Sequence, residues 1–262
     1  MIQPDMPTEC LQATDICKTY WSGKRLLPVL DHVSMSAYAG EFVAVLGPSG
    51  CGKSTLLEVL CGLQQPDSGE VRINGFPIKA PGLMSYMPQR SALLPWRNVV
   101  DNVTLGPILH GTVRDQARQQ AAAYMELFGL TGFDRAYPQE LSGGMRQRAA
   151  LLRTYLSGGA ILALDEPFGA LDAITRRDMQ EWLGTVHASL HTTIIMVTHD
   201  IEEAVMLADR IFVLTPRPGS NSAAFGISLP RPRSAVSGDF TKYKADVLAA
   251  LRRMAASDKE RM

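Results

Sequence analysis

Apolar residues recur along this chain in two rhythms. Val33, Met35 and Ala37 alternate with Ser34, Ser36 and Tyr38, the period of two that lets a strand bury one face and wet the other. Glu70–Ile73 and Phe76–Ile78 flank the dipeptide Asn74-Gly75, which tolerates the left-handed backbone of a tight hairpin. The early chain is therefore predicted to be partly antiparallel. A second rhythm appears in Phe42–Leu46, Ala160–Leu164 and Thr193–Val197, which are short, nearly continuous in apolar residues and mostly branched. Such runs suit parallel strands covered on both faces.

A stretch with helical character follows each of these runs, at Lys53–Leu60, Ala173–Leu190 and Ile201–Ala208. Strand and helix in alternation predict a layered α/β core with a mainly parallel sheet. Between the first two core strands lie Val113–Phe128 and Gly143–Leu156, both helical in pattern, which together predict an inserted helical lobe over about residues 90–158. Beyond Leu214, Pro216, Pro218, Pro230 and Pro232 exclude central strands, and only Phe240–Met254 reads as a helix. The main domain is thus placed at 10–220, with a short C-terminal extension at 221–262 and no internal repeat.

Composition narrows the class. The chain has 262 residues, 46% hydrophobic and 20% charged, enough to bury a full core. Its 26 Lys plus Arg balance 26 Asp plus Glu, so no overall field draws it to nucleic acid or anionic lipid. No apolar run approaches the length of a membrane helix, and no secretory signal is expected, since no apolar stretch follows the first basic residue, Lys18. Cys10, Cys17, Cys51 and Cys61 form no zinc-ligand spacing and are expected to be reduced thiols without function.

The chemistry is concentrated in short motifs. Gly47-Pro48-Ser49-Gly50-Cys51-Gly52-Lys53-Ser54, with Thr55 behind it, fits G-x-x-x-x-G-K-[ST] after a predicted strand and before a predicted helix. There the glycines free backbone amides for phosphate oxygens, Lys53 brings positive charge to the β and γ phosphates, and Ser54 supplies a Mg2+ ligand. A metal beside a triphosphate needs an acidic ligand, and an attacking water needs a base. Ile161–Glu166 ends in both: Asp165 for the Mg2+ shell and Glu166 for the water. The fold class is accordingly a P-loop NTPase core with an N-terminal antiparallel β subdomain.

Leu141-Ser142-Gly143-Gly144-Met145 precedes a helix and lies about twenty residues ahead of Asp165. It resembles the signature motif of ABC ATPases, and the chain is identified as similar to the ATP-binding subunits of ABC transporters over about residues 10–235. The resemblance implies further roles. Gln89 is similar to the Q-loop glutamine, a catalytic and metal-shell position; Gly169-Ala170-Leu171-Asp172 to the D-loop; and His199 to the switch histidine at the γ phosphate. Tyr20 is similar to the aromatic that stacks on adenine, with its neighbour Trp21 as the alternative. It also implies ATP with Mg2+, and a second ATPase subunit, most simply an identical copy. Each ATP would then lie between one phosphate loop and the Ser142, Gly143 and Gly144 of the other copy. One departure is Met145, where the family pattern most often has glutamine, so this position offers no side-chain donor.

Met87–Trp96, Asn98–Val103, the Asp165–Asp172 segment and Leu229-Pro230-Arg231-Pro232-Arg233 resemble bacterial importers of nitrate, sulfonate, taurine or bicarbonate. Leu151–Leu156 leans toward importers of thiamine-precursor pyrimidines, so the solute stays open. Expected partners are transmembrane permease subunits and, indirectly, a periplasmic or extracellular solute-binding protein, with no nucleic acid. The expected location is peripheral, on the cytoplasmic face of the cell membrane. Trp96 is either a grip on a permease helix or a core tryptophan. A soluble ABC ATPase acting on DNA would carry a long coiled coil between phosphate loop and signature. Here Ser54 to Leu141 spans 88 residues inclusively, without sustained heptads.

Overall fold

The computed structural model describes residues 8–259 except residue 24. It opens on two long antiparallel strands, β1 (Glu9–Ser22) and β2 (Arg25–Tyr38), followed by β3 (Phe42–Leu46) and α1 (Lys53–Leu60). Next come β4 (Ser68–Ile73), β5 (Phe76–Pro77) and β6 (Met84–Met87). The helical lobe holds α2 (Val99–Val103), α3 (Leu105–Leu109), α4 (Arg114–Met125) and α5 (Gly143–Leu156). The chain then alternates through β7 (Ile161–Asp165), α6 (Ala173–Leu190), β8 (Thr193–Thr198), α7 (Ile201–Leu207) and β9 (Arg210–Leu214). It closes with β10 (Asn221–Gly226) and α8 (Gly238–Lys259).

Two sheets result. The antiparallel sheet runs β2-β1-β4-β5, and the six-stranded sheet runs β10-β9-β3-β8-β7-β6, parallel except at β10. The period-two geometry of a strand explains why the three core runs are continuously apolar. Val43, Val45, Ala163, Ile195 and Val197 turn toward a core shared with α1 and the antiparallel sheet. Phe42, Leu46, Leu162, Leu164, Ile194 and Met196 turn the other way, toward the helices. Every residue of β3, β7 and β8 is buried, so a polar side chain anywhere along them would lose its water.

Several elements differ from the sequence-based expectation. β1 was not expected at all, because register shifts at Ala13/Ile16, Ile16/Lys18 and Lys18/Thr19 break its alternation. The same irregularity puts Asp15 and His32 in left-handed backbone, at φ 50° and 49°. It also gathers donor atoms of Cys17, Asp31 and His32 within 4.8 Å, a grouping that cysteine spacing does not reveal. β6, β9 and β10 were likewise unread. The proline-flanked β10 lies at the sheet edge, antiparallel to β9, the place where such a segment is tolerated. Trp96 is 72% exposed, so it is not a core tryptophan.

The tail is tied to the core by two arginines. Arg233, whose side chain is 1% exposed, donates to the carbonyls of Val205 (2.7 Å) and Ala208 (2.6 Å) and lies 3.7 Å from Asp209. Arg231 donates to Leu207 O (2.5 Å) and meets Asp209 at 2.6 Å. These carbonyls are the ones a helix leaves unpaired at its C-terminus, where cations are also favoured by the dipole. Replacing Arg233 with methionine keeps the stem but strips those acceptors of their donor. We expect a loss of about 2 to 4 kcal/mol, read as a lower urea midpoint, whereas the exposed Arg217→Met should leave the midpoint unchanged.

Candidate active site

The phosphate loop fills the gap between β3 and α1. Gly50 and Gly52 take φ of 79° and 107°, where a side chain would be strained. Gly52 is also hemmed in, since a Cβ there would sit 2.9 Å from Val29 O and from Leu30 Cδ2. The amides of Gly50, Gly52, Ser54 and Thr55 donate no hydrogen bond among the described residues, so donors and the positive end of α1 are left for an anion. Lys53, 5% exposed, donates from Nζ to Gly47 O (2.9 Å) and Pro48 O (3.1 Å). Cys51 is buried within the loop and burial pushes its thiol pKa up, which makes it a packing residue rather than a nucleophile.

The carboxylates arrive from the end of β7. Asp165 is buried and accepts hydrogen bonds from Ser54 Oγ (3.0 Å) and Tyr86 OH (3.2 Å). Burial raises its pKa above the ordinary carboxylate range, against the pull of those two donors. Glu166 follows with φ 43°, an uncommon strained backbone for a residue with a side chain. It is pinned there by its own amide on Val197 O (3.0 Å) and by the Gly169 amide on its carbonyl (3.1 Å). Three groups converge on its carboxylate: His199 Nδ1 at 3.2 Å, Gln89 Nε2 at 3.3 Å and Lys53 Nζ at 3.8 Å.

The structure thus brings together Lys53, Ser54, Gln89, Asp165, Glu166 and His199. It also adds Tyr86, which sequence reasoning missed because a tyrosine in a four-residue strand carries no motif. Oxygen donors from Ser54 and Asp165 beside unpaired loop amides form a set that suits Mg2+ next to phosphate.

The other expected residues stand apart. Ser142 is exposed and caps α5, its Oγ accepting from the Met145 amide at 3.2 Å. Arg146 steadies this turn through Leu141 O (2.5 Å). Gly144 is packed against α6, where a Cβ would come 3.1 Å from Thr175 Cγ2. Asp172 caps α6 through the amides of Ile174 (3.1 Å) and Thr175 (3.0 Å), and hydrogen bonds with Thr175 hold its pKa low. Neither Ser142 nor Asp172 bonds to this chain's own phosphate loop among the described residues. Tyr20 is half-buried with Lys18 Nζ 5.6 Å from its ring, while Trp21 is 73% exposed, so Trp21 presents the more open ring.

Residues 30–169 match the family described as ABC transporter. The chain is 42% identical over 84% of its length, and 85% of the other's, to the taurine import ATP-binding protein TauB of Burkholderia pseudomallei. It is 37% identical to the nitrate import ATP-binding protein NrtD of Synechocystis, covering 92% of this chain and 95% of that one. Among solved structures, the ATP-binding cassette MJ0796, a dimer in a post-hydrolysis state bound to ADP and Pi, superposes with a TM-score of 0.72. The two are 27% identical over 84% of this chain and all of that one.

Two substitutions separate the roles of the carboxylates. Glu166→Gln should retain ATP binding while phosphate release falls roughly 10^2- to 10^4-fold, the scale of a lost general base; wild-type turnover would remove Glu166 from that role. Tyr86→Phe takes a donor from Asp165 and should raise the Mg2+ concentration for half-maximal turnover by about tenfold, measured by titrating the metal at fixed ATP.

Proposed function

Because the chain belongs to the ABC transporter family of ATP-binding proteins, we propose that its ATP hydrolysis drives import of a small anion such as nitrate, a sulfonate or taurine. The chain is an ATPase of the P-loop class. The observation that carries the site assignment is the meeting of Lys53, Gln89 and His199 on the Glu166 carboxylate, beside the Ser54–Asp165 pair.

Residue roles follow from that arrangement. Gly47–Thr55 cradle the phosphates, and the Lys53 ammonium leaves its two carbonyl acceptors for the β and γ oxygens. Glu166 accepts a proton from the water that attacks the γ phosphorus. His199 and Gln89, both within hydrogen-bond reach of Glu166, orient that water and the transferring phosphoryl group. Ser54 and Asp165, with the Gln89 amide oxygen, would hold Mg2+, which supplies charge neutralisation at the phosphate oxygens. Tyr20 or Trp21 stacks on adenine.

In this reading a second copy completes the site: Ser142, Gly143, Gly144 and Asp172 supply amides and an oxygen to the partner's nucleotide, which accords with Ser142 and Asp172 making no hydrogen bond to their own phosphate loop among the described residues. Exposed Trp96, Leu109 and Val113 on the helical lobe offer apolar surface to a permease subunit at the cytoplasmic face of the membrane. A solute-binding protein would act through that permease. No helix among the described residues is long and apolar enough to cross a membrane.

Two measurements test this reading. Phosphate release by the chain purified with its permease in vesicles should rise when taurine, an alkyl sulfonate or nitrate is supplied with the binding protein; indifference to all three would refute the anion assignment. Mixing Lys53→Ala with Ser142→Arg protein should restore turnover above either alone, because one composite site in each mixed dimer is intact. Absence of that recovery would refute the shared site.

A further inference from the structure

Behind Glu166 lies a buried polar network that the roles above do not use. Thr198 ends β8, one residue before His199. Its hydroxyl donates to Glu203 Oε2 at 2.6 Å and accepts the Asp200 amide at 3.0 Å, so a single oxygen grips the backbone on both sides of the histidine. Glu203 is 4% exposed on the first turn of α7. Its other oxygen faces Arg176 Nε at 4.0 Å.

Arg176 carries the network to the opposite side of the site. Its guanidinium donates through Nη2 to Leu171 O at 2.9 Å. Leu171 belongs to the loop that leaves Glu166, and Gly169 in that loop donates to the Glu166 carbonyl. Arg176 Nε is a buried donor without a hydrogen-bond partner, and the Glu203 carboxylate stands 4.0 Å from it. With the Arg176 side chain 34% exposed and its Nε 4.0 Å from Glu203, the pair is too loose and too open to solvent to be a strong source of stabilisation. Its place between two loops that both touch Glu166 indicates a geometric task.

We propose that Glu203, with Thr198 and Arg176, is a positioning network that sets the His199 ring and the Gly169–Asp172 loop in register around Glu166. None of the three touches nucleotide; they act through His199 and the loop. The 2.6 Å bond between the Thr198 hydroxyl and the buried Glu203 carboxyl ties the two together; burial raises the Glu203 pKa and the Thr198 hydroxyl opposes that rise. The proposal rests on the assigned roles of Glu166 and His199.

The test measures kcat and KM for ATP by phosphate release, with thermal melting, on the full chain. Glu203→Gln and Thr198→Val are close in shape to the native residues. Each should lower kcat roughly 10- to 100-fold, as lost supporting hydrogen bonds do, with KM little changed; Thr198→Val, which leaves the buried Glu203 without its donor, should also lower the melting temperature by about a few degrees. Thr198→Ser should restore activity. In a His199→Ala background, Glu203→Gln should lower kcat by a smaller factor than in the wild type, because the part of its effect that passes through the histidine is already lost and only the loop route remains. Wild-type kcat in Thr198→Val, or the same fold-loss from Glu203→Gln with and without His199, would overturn the network. Wild-type turnover in His199→Ala alone would instead overturn the role of the histidine on which the network rests.

Discussion

The site depends on the register of three strands buried on both faces. In the parallel sheet Leu46 lies opposite Thr198, and Asp165 opposite Val197. The residues that follow, Gly47, Glu166 and His199, therefore leave the sheet along one line at its C-terminal edge, where parallel α/β sheets bind their ligands. Because each strand is apolar on both sides, slipping the register would expose no better face and would bury the polar chain ends instead. The same burial that forces the strands to be continuous thus aims loop amides, carboxylates and imidazole at one point.

That convergence carries an electrostatic cost. Burial raises the pKa of Asp165 and, further back, of Glu203. A carboxyl with a raised folded pKa contributes stability below its unfolded pKa and loses it as pH rises through the folded value. At neutral pH these groups therefore work against the fold, partly offset by Ser54, Tyr86 and Thr198. Lys53 and His199 lean toward Glu166, and the adjacent loop amides stay unpaired. A cation beside Asp165 and an anion on the amides would relieve both imbalances together, so ligand binding is coupled to the stability of the strand ends.

Sequence reasoning reached the parts of this architecture that are written locally. Lys53–Leu60, Gly143–Leu156 and Ala173–Leu190 begin and end in the structure where periodicity placed them, because Gly52, Ser142 and Asp172 mark their starts. β1 was hidden because bulges at Asp15 and Cys17 destroy the alternation that would announce it, and β10 because its neighbouring prolines speak against strands in general rather than against edges. In the site, the glycines, Lys53 and the Asp165-Glu166 pair form contiguous motifs, whereas Tyr86 meets Asp165 and Arg176 meets Glu203 only when elements far apart in the chain are packed together, and Thr198 and Glu203, five residues apart, meet only across the turn from strand to helix. Nothing in the spacing of Arg176 and Glu203 distinguishes them from ordinary helical charges.

The separation of Ser142 from its own phosphate loop follows from how α5 is held. Its first turn is fixed from several sides: Gly144 lies against Thr175, Gln147 donates to the Pro167 carbonyl, Arg146 holds Leu141 O, and Leu141 itself is buried. Swinging this turn onto the chain's own nucleotide would break those contacts and leave buried groups unpaired, at about 1 to 3 kcal/mol for each. A rigid second surface brought from outside meets no such penalty. The packing that makes this turn firm is also what keeps it from its own loop, and in the shared site proposed above a second copy would resolve that conflict by exchanging the two halves.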